Sequence, residues 1–420
     1  MKTEIEKLYD FFTASAGVTT DSRKIEVGAL FFALHGASFD GNNYAIAALE
    51  QGASAAVIDR NDILEANADY AERLFLVDDT LEALQALARE HRRRLAIPIV
   101  AIAGSNGKTT TKELVSRVLA EKFEVSTTKG NLNNHIGVPL TLLAMSNETE
   151  FGVVEMGASA QGEIALLCST AEPNYGILTN IGLSHLEGFG GVEGIRKGKG
   201  ELFDHLNEIG GRAFVPEEDA TLCAMATERE DLAVEYYTRT IAEGFKSNLT
   251  GDYNRFNIAA AVEIGRYFGV ADERIAEAIL SFSPDNNRSQ AVKTERNQLV
   301  VDCYNANPSS MEVALDNIAT MEAGHKVLIL GDMLELGEWS EEAHINILRK
   351  ADGIAKRIIL VGKEFAKAHT IVGEELESEY TLYPTTAEAS AAFDKEPISD
   401  SLVLLKGSRG IKLESLINKL

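Results

Sequence analysis

The fold is decided by Ile99-Val100-Ala101-Ile102-Ala103-Gly104-Ser105-Asn106-Gly107-Lys108-Thr109-Thr110-Thr111-Lys112-Glu113. This stretch begins with an apolar run that predicts a strand, turns between two glycines, and continues into a helical pattern. A strand, a glycine turn and a helix N-terminus together form an anion site, because backbone N–H groups and the helix dipole point at the ligand. Lys108 adds a mobile cation, and the hydroxyl of Thr109 can reach a Mg²⁺ that bridges two phosphates.

The motif is a shortened phosphate loop, Gly-x-x-Gly-Lys-Thr, since Ile102 stands where the longer form has its first glycine. Gly-Lys-Thr also occurs in plain turns, so the strand before the motif and the helix after it carry the interpretation. We therefore predict that nucleotide phosphates bind Gly104, Ser105, Asn106, Gly107, Lys108, Thr109 and Thr110.

Composition narrows the class of protein. A chain of 420 residues with 45% hydrophobic and 25% charged residues predicts a soluble globular protein of about three domains. The net charge of −24 disfavours a long nucleic-acid or anionic-membrane surface. The scattered Cys168, Cys223 and Cys303 argue against a disulfide framework or a zinc site. Residues 1–7 carry charges where a signal peptide needs an apolar core, and no run reaches the ~20 apolar residues of a membrane span, so we expect a cytoplasmic protein.

The order of strand and helix patterns predicts an α/β fold in three units. Residues 1–96 read as a small α/β domain, and Pro98 marks its end. Residues 97–283 alternate strands and helices, as in a parallel sheet covered on both faces. Residues 284–420 follow a turn-rich break and read as a smaller Rossmann-like domain.

Three side chains beyond the phosphate loop could share its site. Glu155 ends an apolar strand and could hold Mg²⁺, directly or through water, although it could also be a surface carboxylate. His185 follows the next strand, where a lone histidine is more often structural. Lys199, within a run of charges and glycines, would by itself be read as a solvated charge.

The motifs in combination resemble the Mur ligase family of peptidoglycan synthesis across nearly the whole chain. The central ones are Gly104–Thr110, Glu155–Gly157, Asn180–Gly182 with His185, and Lys199–Glu201. Four further motifs resemble those of the branch that adds D-alanyl-D-alanine: Gly130–Thr141, Asp302–Met311, Leu330–Glu338 and Lys406–Gly410. The family's UDP-sugar-binding domain is resembled at Asp21–Arg23 and Gly36–Gly41.

This resemblance implies ATP-dependent amide formation. The γ-phosphoryl group would pass to the terminal carboxylate of UDP-N-acetylmuramoyl-tripeptide, and the amine of D-alanyl-D-alanine would attack the acyl phosphate. Such chemistry needs charge neutralisation more than a protein nucleophile. It also implies that the third domain closes to keep water from the acyl phosphate, in a chain we expect to be monomeric.

The resemblance also assigns roles to residues. Lys108, Glu155, His185 and Lys199 would be catalytic, with one Mg²⁺ on Thr109 and Glu155, a second near His185, and Lys199 carbamylated to orient it. ATP would be held by the phosphate loop, with Asn257 on adenine and Arg288 and Asp302 closing over the nucleotide. The substrate-binding residues would be Ser22, Arg23, Asn134, Asn305, Asn307, Lys406 and Arg409.

One position departs from the family pattern. Tyr253 stands where the family usually has histidine in Gly-x-His-Asn-x-x-Asn, while Asn254 and Asn257 remain. The adenine assignment therefore stands, and whatever the histidine contributes to packing or nucleotide orientation is open.

The sequence leaves four alternative functions open. The sister ligase that adds the third amino acid shares the N-terminal signature, but its Asp-Asn-Pro-Arg motif does not occur here, since Asp285–Arg288 lacks the proline. Folylpolyglutamate synthetases share the phosphate loop without the UDP domain. A nucleotide-binding switch would bind nucleotide without amino-acid-dependent phosphate release. A catalytically silent scaffold would show gaps among the metal and phosphate residues.

Overall fold

The computed structural model describes residues 3–284 and 288–420, and within them three open sheets follow one another along the chain. The predicted α/β fold in three units is confirmed, and the domain limits 1–96, 97–283 and 284–420 stay predictions. Ser283 and Pro284 of the predicted break are described, whereas Asp285 to Asn287 lie outside the described residues.

The first unit has a four-stranded parallel sheet in the order β1-β2-β5-β6 and a small β3-β4 ribbon. Phe31, Phe32 and Leu34, on or beside β2, are buried and belong to the core. The elements are α1 Glu4–Ala14, β1 Val18–Thr19, β2 Leu30–Phe32, β3 His35–Gly36, β4 Phe39–Asp40, α2 Ala45–Glu50, β5 Ala55–Ile58, α3 Asn61–Ala66, β6 Leu74–Leu76 and α4 Thr80–Leu95.

The second unit is a six-stranded parallel sheet, β12-β11-β10-β7-β9-β8. Its middle strands are apolar runs buried on both faces, as expected when helices cover a parallel sheet. The elements are β7 Ile99–Ala103, α5 Lys108–Ala120, β8 Val125–Thr127, α6 Gly137–Leu143, β9 Phe151–Glu155, α7 Glu163–Ala171, β10 Tyr175–Leu178, α8 Leu186–Phe189, α9 Val192–Ile209, β11 Arg212–Pro216, α10 Ala220–Thr227, β12 Ala233–Tyr237, α11 Asn254–Tyr267 and α12 Asp272–Ser281.

The third unit is a six-stranded sheet, β13-β14-β18-β15-β16-β17, in which only β13 is antiparallel to its neighbour. The elements are β13 Gln290–Lys293, β14 Gln298–Asp302, α13 Pro308–Thr320, β15 Lys326–Gly331, α14 Ser340–Ala351, β16 Arg357–Val361, α15 Lys363–Val372, β17 Glu379–Tyr383, α16 Thr386–Phe393 and β18 Leu402–Lys406. No helix in the described ranges is both long and apolar enough to cross a membrane.

Helix α4 ties the first unit to the second. Its buried Arg92 donates hydrogen bonds to the carbonyl oxygens of Ala171 (2.9 Å) and Glu172 (3.0 Å) and to Asn174 Oδ1 (2.9 Å). His91, also buried, lies 2.9 Å through Nε2 from the carbonyl oxygen of Met145. These contacts satisfy backbone carbonyl groups that follow or end α6 and α7. Buried hydrogen bonds therefore fix the first unit to the second.

Candidate active site

The strand order places a crevice at the carboxyl end of β7. Neighbours β10 and β9 lie on opposite sides of β7, which makes this the point where the order of the sheet reverses. In open α/β sheets, ligands bind in the crevice at such a switch point. The loop Gly104–Gly107 leaves β7 there and leads into α5, which begins at Lys108.

Both glycines of the loop are required by its geometry. Gly104 has a φ of +128°, and a Cβ there would lie 2.2 Å from Thr179 Oγ1. Gly107 has a φ of +81°, and a Cβ there would lie 2.8 Å from Asn257 Oδ1. A side chain at either position would collide with a neighbouring element as well as strain the backbone.

The loop after β10 holds the phosphate loop in shape. Asn180 Oδ1 accepts from the Asn106 N–H (3.1 Å), and Asn180 Nδ2 donates to the Asn106 carbonyl oxygen (3.0 Å). Ser105 Oγ donates to the Gly182 carbonyl oxygen (2.8 Å) and accepts from its N–H (2.9 Å). These hydrogen bonds explain the Asn180–Gly182 motif, because its residues hold the phosphate loop in place from the adjacent strand.

Lys108 lies over the loop. Its Nζ donates to the carbonyl oxygens of Gly104 and Ser105, each at 2.9 Å. Burial lowers the pKa of Lys108 to about 8; the nearby Glu155 carboxylate opposes that shift, and Arg288 adds to it. The ammonium is thus placed among oxygens and beside a carboxylate, where an anionic phosphate could replace the carbonyl oxygens as its partner.

Glu155 ends β9 and is buried, with 1% of its surface exposed. Its backbone N–H donates to Thr128 Oγ1 (3.0 Å), and its Oε1 accepts from Asn133 Nδ2 (2.8 Å). Its Oε2 is buried and has no hydrogen-bond partner among the described residues. A buried carboxylate oxygen without a donor is costly unless something positive binds it.

The free carboxylate oxygen of Glu155 fits a magnesium ion. Within residues 3–284 and 288–420, no group of three His, Cys, Asp or Glu side chains could hold a metal by itself. Mg²⁺, however, is usually held by one or two carboxylates together with water and substrate phosphates. A single free carboxylate oxygen beside a phosphate loop therefore suits this ion, and the binding of Mg²⁺ by Thr109 and Glu155 stays a prediction.

His185 and Lys199 stand at different depths. His185 lines the cavity in a left-handed conformation (φ +54°), and its Nδ1 lies 2.7 Å from Glu335 Oε2 of the third unit. Lys199 is buried in α9 and donates to the Ala158 carbonyl oxygen (2.9 Å). Burial holds the pKa of Lys199 well below its usual range, and Lys108 lowers it further. Lys199 is therefore not the solvated charge that its local sequence suggests.

The third unit forms the opposite wall of the site. Asn307, the N-cap of α13, donates through Nδ2 to Asn106 Oδ1 (2.9 Å) in the phosphate loop. Ser309 Oγ accepts from the Leu183 N–H (2.9 Å). Between the two units lies a cavity of about 820 Å³. A cavity of this size accommodates a ligand of nucleotide dimensions.

The cavity brings together most of the predicted site residues. It is lined by Ser105, Asn106, Gly107, Lys108, Thr110, Asn134, Glu155, His185, Asn257, Arg288, Asp302, Asn305, Asn307 and Lys406. Gly104, Thr109 and Lys199 are buried behind this lining. Ser22 and Arg23 lie in the first unit, where the exposed Arg23 pairs with Asp21 (2.8 Å) and lowers its pKa to about 2.

Two predicted asparagines are occupied by local hydrogen bonds. Asn134 Oδ1 accepts from the Gly137 N–H (2.9 Å) at the start of α6. Asn257 Oδ1 accepts from Thr111 Oγ1 (3.1 Å), and its Nδ2 donates to Asn254 Oδ1 (2.8 Å), so it anchors α11 to α5 below the phosphate loop. Contact of Asn257 with adenine stays a prediction.

Two further residues at the site were given no role by the sequence. Asn133, next to the predicted Asn134, is the one that reaches Glu155. Tyr304 lines the cavity, with the guanidinium carbons of Arg288 and Arg409 at 3.9 and 5.2 Å from its ring centroid. An aromatic residue two positions after a strand that ends in a carboxylate was the available signal for Tyr304.

Lys406, which is buried, and Asp302, which is partly buried, form an ion pair at the ends of β18 and β14. Their Nζ and Oδ2 atoms are 2.6 Å apart, and the Lys406 side chain is 2% exposed. Lys406 is therefore not an exposed charge. Arg409 is exposed and lies behind Tyr304, outside the cavity lining.

Comparison with known proteins agrees with this architecture. Three sequence profiles match in order: the Mur ligase family catalytic domain over residues 15–92, the Mur ligase middle domain over 102–243, and the Mur ligase glutamate ligase domain over 287–409. Together with a relative 36% identical across 97% of this chain, they show that the chain belongs to the Mur ligase family.

One sequence relative and two solved structures narrow the comparison further. The 36% identical relative, from Bacillus subtilis (strain 168), is the UDP-N-acetylmuramoyl-tripeptide--D-alanyl-D-alanine ligase, and 93% of it is covered. A crystal structure of MurF from Acinetobacter baumannii superposes with a TM-score of 0.84 at 28% identity, covering 98% of this chain and 97% of that one. MurF ligase from Thermotoga maritima, in complex with ADP, gives a TM-score of 0.82 at 25% identity, covering 100% and 98%.

Proposed function

We propose that this chain is an ATP-dependent ligase that joins D-alanyl-D-alanine to UDP-N-acetylmuramoyl-tripeptide through an acyl phosphate. The observation that carries the proposal is the cavity between the second and third units. On one wall lies a braced phosphate loop with Lys108; on the other lie amide and hydroxyl side chains presented by α13. A phosphoryl donor and an acceptor carboxylate can meet in such a space with little water between them.

The residues at the loop suit phosphoryl transfer. The loop amides and Lys108 bind and orient the phosphates, and Asn106 links the loop to Asn307. Thr109 and Glu155 would hold Mg²⁺, which when bound neutralises charge on the transferring group. Asn307 and Ser309 line the side from which the amine of D-alanyl-D-alanine would approach. Ser22 and Arg23 would bind the uridine nucleotide in the first unit.

Three finer features belong to the same proposal. A second Mg²⁺ would lie near His185, oriented by Lys199 as its carbamate, for which the support is the family resemblance and the burial of Lys199 beside the cavity. A monomer is also proposed. A cytoplasmic location follows from the proposed need for ATP and a nucleotide-linked substrate.

The test is phosphate release from ATP with UDP-N-acetylmuramoyl-tripeptide, with and without D-alanyl-D-alanine. The control reaction supplies the dipeptide nucleotide and the third amino acid instead. Release that requires both the tripeptide nucleotide and D-alanyl-D-alanine is expected. Activity only in the control reaction would assign the chain to the sister ligase, and ATP binding without either activity would favour a nucleotide-binding switch.

A further inference from the structure

The tyrosine that departs from the family pattern contacts the start of the third unit. Tyr253 lies just before α11 of the second unit, and its hydroxyl is hydrogen-bonded to Ser289 Oγ. Its ring lies against Gly251, which has a φ of +89° and where a Cβ would be 2.3 Å from Tyr253 Cε1. The ring is thus held in a slot that only glycine leaves open, with its hydroxyl directed across the join.

Ser289 has a conformation that needs such support. Its φ is +49°, in the left-handed region that serine rarely occupies. Its N–H donates to Asp302 Oδ1 (3.2 Å), and its side chain is bonded by Tyr253. Strained conformations of this kind persist where surrounding contacts determine them. Arg288, the preceding residue, lines the cavity and stacks on Tyr304.

The contacts continue in both directions. Asp302, which accepts from the Ser289 N–H, also pairs through Oδ2 with the buried Lys406 (2.6 Å). On the other side, Asn257, one turn along α11 from Tyr253, is bonded to Thr111 of α5. A continuous set of hydrogen bonds and packed turns therefore joins the helix of the phosphate loop to the strand ends of the third unit.

We propose that Tyr253 is a positioning residue: its hydroxyl holds Ser289, and through Ser289 it fixes the position of Arg288 and the third unit relative to the phosphate loop. The inference depends on the proposed ligase function in its kinetic test, and its structural test does not need that function. Loss of the hydroxyl lowers the fraction of molecules in the competent arrangement, and apparent affinity and rate fall with that fraction. Folding of the second unit is unaffected, because the ring still fills its slot.

The experiment compares Tyr253→Phe, Ser289→Ala and the double variant with the wild-type chain. Each single variant removes one hydrogen bond of ordinary strength. Its kcat/KM for ATP should therefore fall about threefold to tenfold. The double variant should lose no more than either single one, because both remove the same bond. Tyr236→Phe, which removes a hydroxyl from a residue of β12 in the same unit that is 43% exposed, is the matched control and should match the wild type.

A second readout is independent of activity. Hydrogen exchange of peptides covering residues 288–302 reports the Ser289 amide, and both single variants should exchange there about threefold to tenfold faster, while α11 stays as protected as in the wild type. Additive kinetic losses, a Tyr253→Phe effect that Ser289→Ala does not reproduce, or unchanged exchange at Ser289 would each overturn the inference. If the wild-type chain shows no ligase activity, the proposed function fails, and the exchange data still decide on the contact.

Discussion

Replacing Glu155 by glutamine tests the assignment of the metal and phosphate site. The substitution keeps the shape of the side chain, and a glutamine oxygen can still accept from Asn133 Nδ2 as Glu155 Oε1 does at 2.8 Å. The substitution removes the negative charge, and it replaces one carboxylate oxygen at a site where the buried Oε2 of Glu155 has no donor among the described residues. The variant should therefore fold and bind its neighbours as before while losing its attraction for a cation.

The expected loss is large. Removing one group that stabilises charge at a reacting centre typically lowers kcat about 100- to 1,000-fold, equivalent to about 3–4 kcal/mol. The assay is phosphate release at saturating substrates over a Mg²⁺ titration, with circular dichroism to confirm folding. The matched control is Glu148→Gln, which removes an exposed carboxylate of the same unit and should leave both kcat and the Mg²⁺ dependence unchanged.

A second measurement separates binding from chemistry. Mg²⁺ with ATP should raise the unfolding free energy of the wild type, by about 2.7 kcal/mol at a hundred times the Kd, and should stabilise Glu155→Gln much less. A folded Glu155→Gln variant with kcat within about threefold of the wild type and the same Mg²⁺ dependence would refute the reasoning, because the charge of Glu155 would then not be used.

Three further predictions follow from named contacts. Lys108→Ala should abolish turnover while leaving the melting temperature near the wild-type value, and near-native rates in the folded variant would contradict its role at the phosphates. Arg92→Ala should lower the unfolding free energy by about 3 kcal/mol in urea titrations, since it leaves buried carbonyl oxygens without donors; a loss below about 0.5 kcal/mol would disprove the tie through α4. Burial lowers the pKa of His91 from its usual 6.5, so the stability that its neutral form contributes is present above that value and is lost as pH falls below it. The drop in unfolding free energy from about pH 7.5 to about pH 5 should be smaller in His91→Gln than in the wild type, and an equal drop would show that His91 does not contribute.

The elements that sequence predicted well are those with strong local signals. The run Ile99–Ala103 is apolar throughout, and it is a fully buried strand at the centre of its sheet. The phosphate loop was recognisable because glycine, lysine and threonine have fixed roles around a helix N-terminus. Glu155 was placed at a strand end, where the structure has it.

Strands with weak local signals were missed. β11 ends in Pro216, a residue that argues against a strand, and β17, Glu379–Tyr383, is a half-exposed strand at the edge of its sheet. Their positions are determined by packing against neighbouring strands, which a local pattern does not contain.

Contacts between residues far apart in the sequence were not predicted, for a related reason. The contact between Asn307 and Asn106 joins residues 201 positions apart, and nothing in either local sequence specifies the other. The choice of Asn134 over Asn133 shows the same limit at close range, because which of two adjacent side chains faces Glu155 depends on the path of the loop. The family resemblance supplied the overall arrangement, and the structure supplies the partners of each side chain.

The buried hydrogen bonds of α4 bear on how parts of this chain could be exchanged. By sequence, a graft of residues 1–96 from a relative would be cut at a natural boundary. Mechanically the cut passes through a shared interior, since Leu84 and Leu87 of α4 lie in the same apolar cluster as Val138 and Leu142 of α6. A chimera that joins the donor segment before Thr80 keeps the packing of α4 on α6, but it divides the same cluster on the other side of α4, where Leu8 and Phe12 of α1 belong to it. Helix α4 therefore belongs to both interiors, and a graft at either end of it has to match the residues on both of its faces.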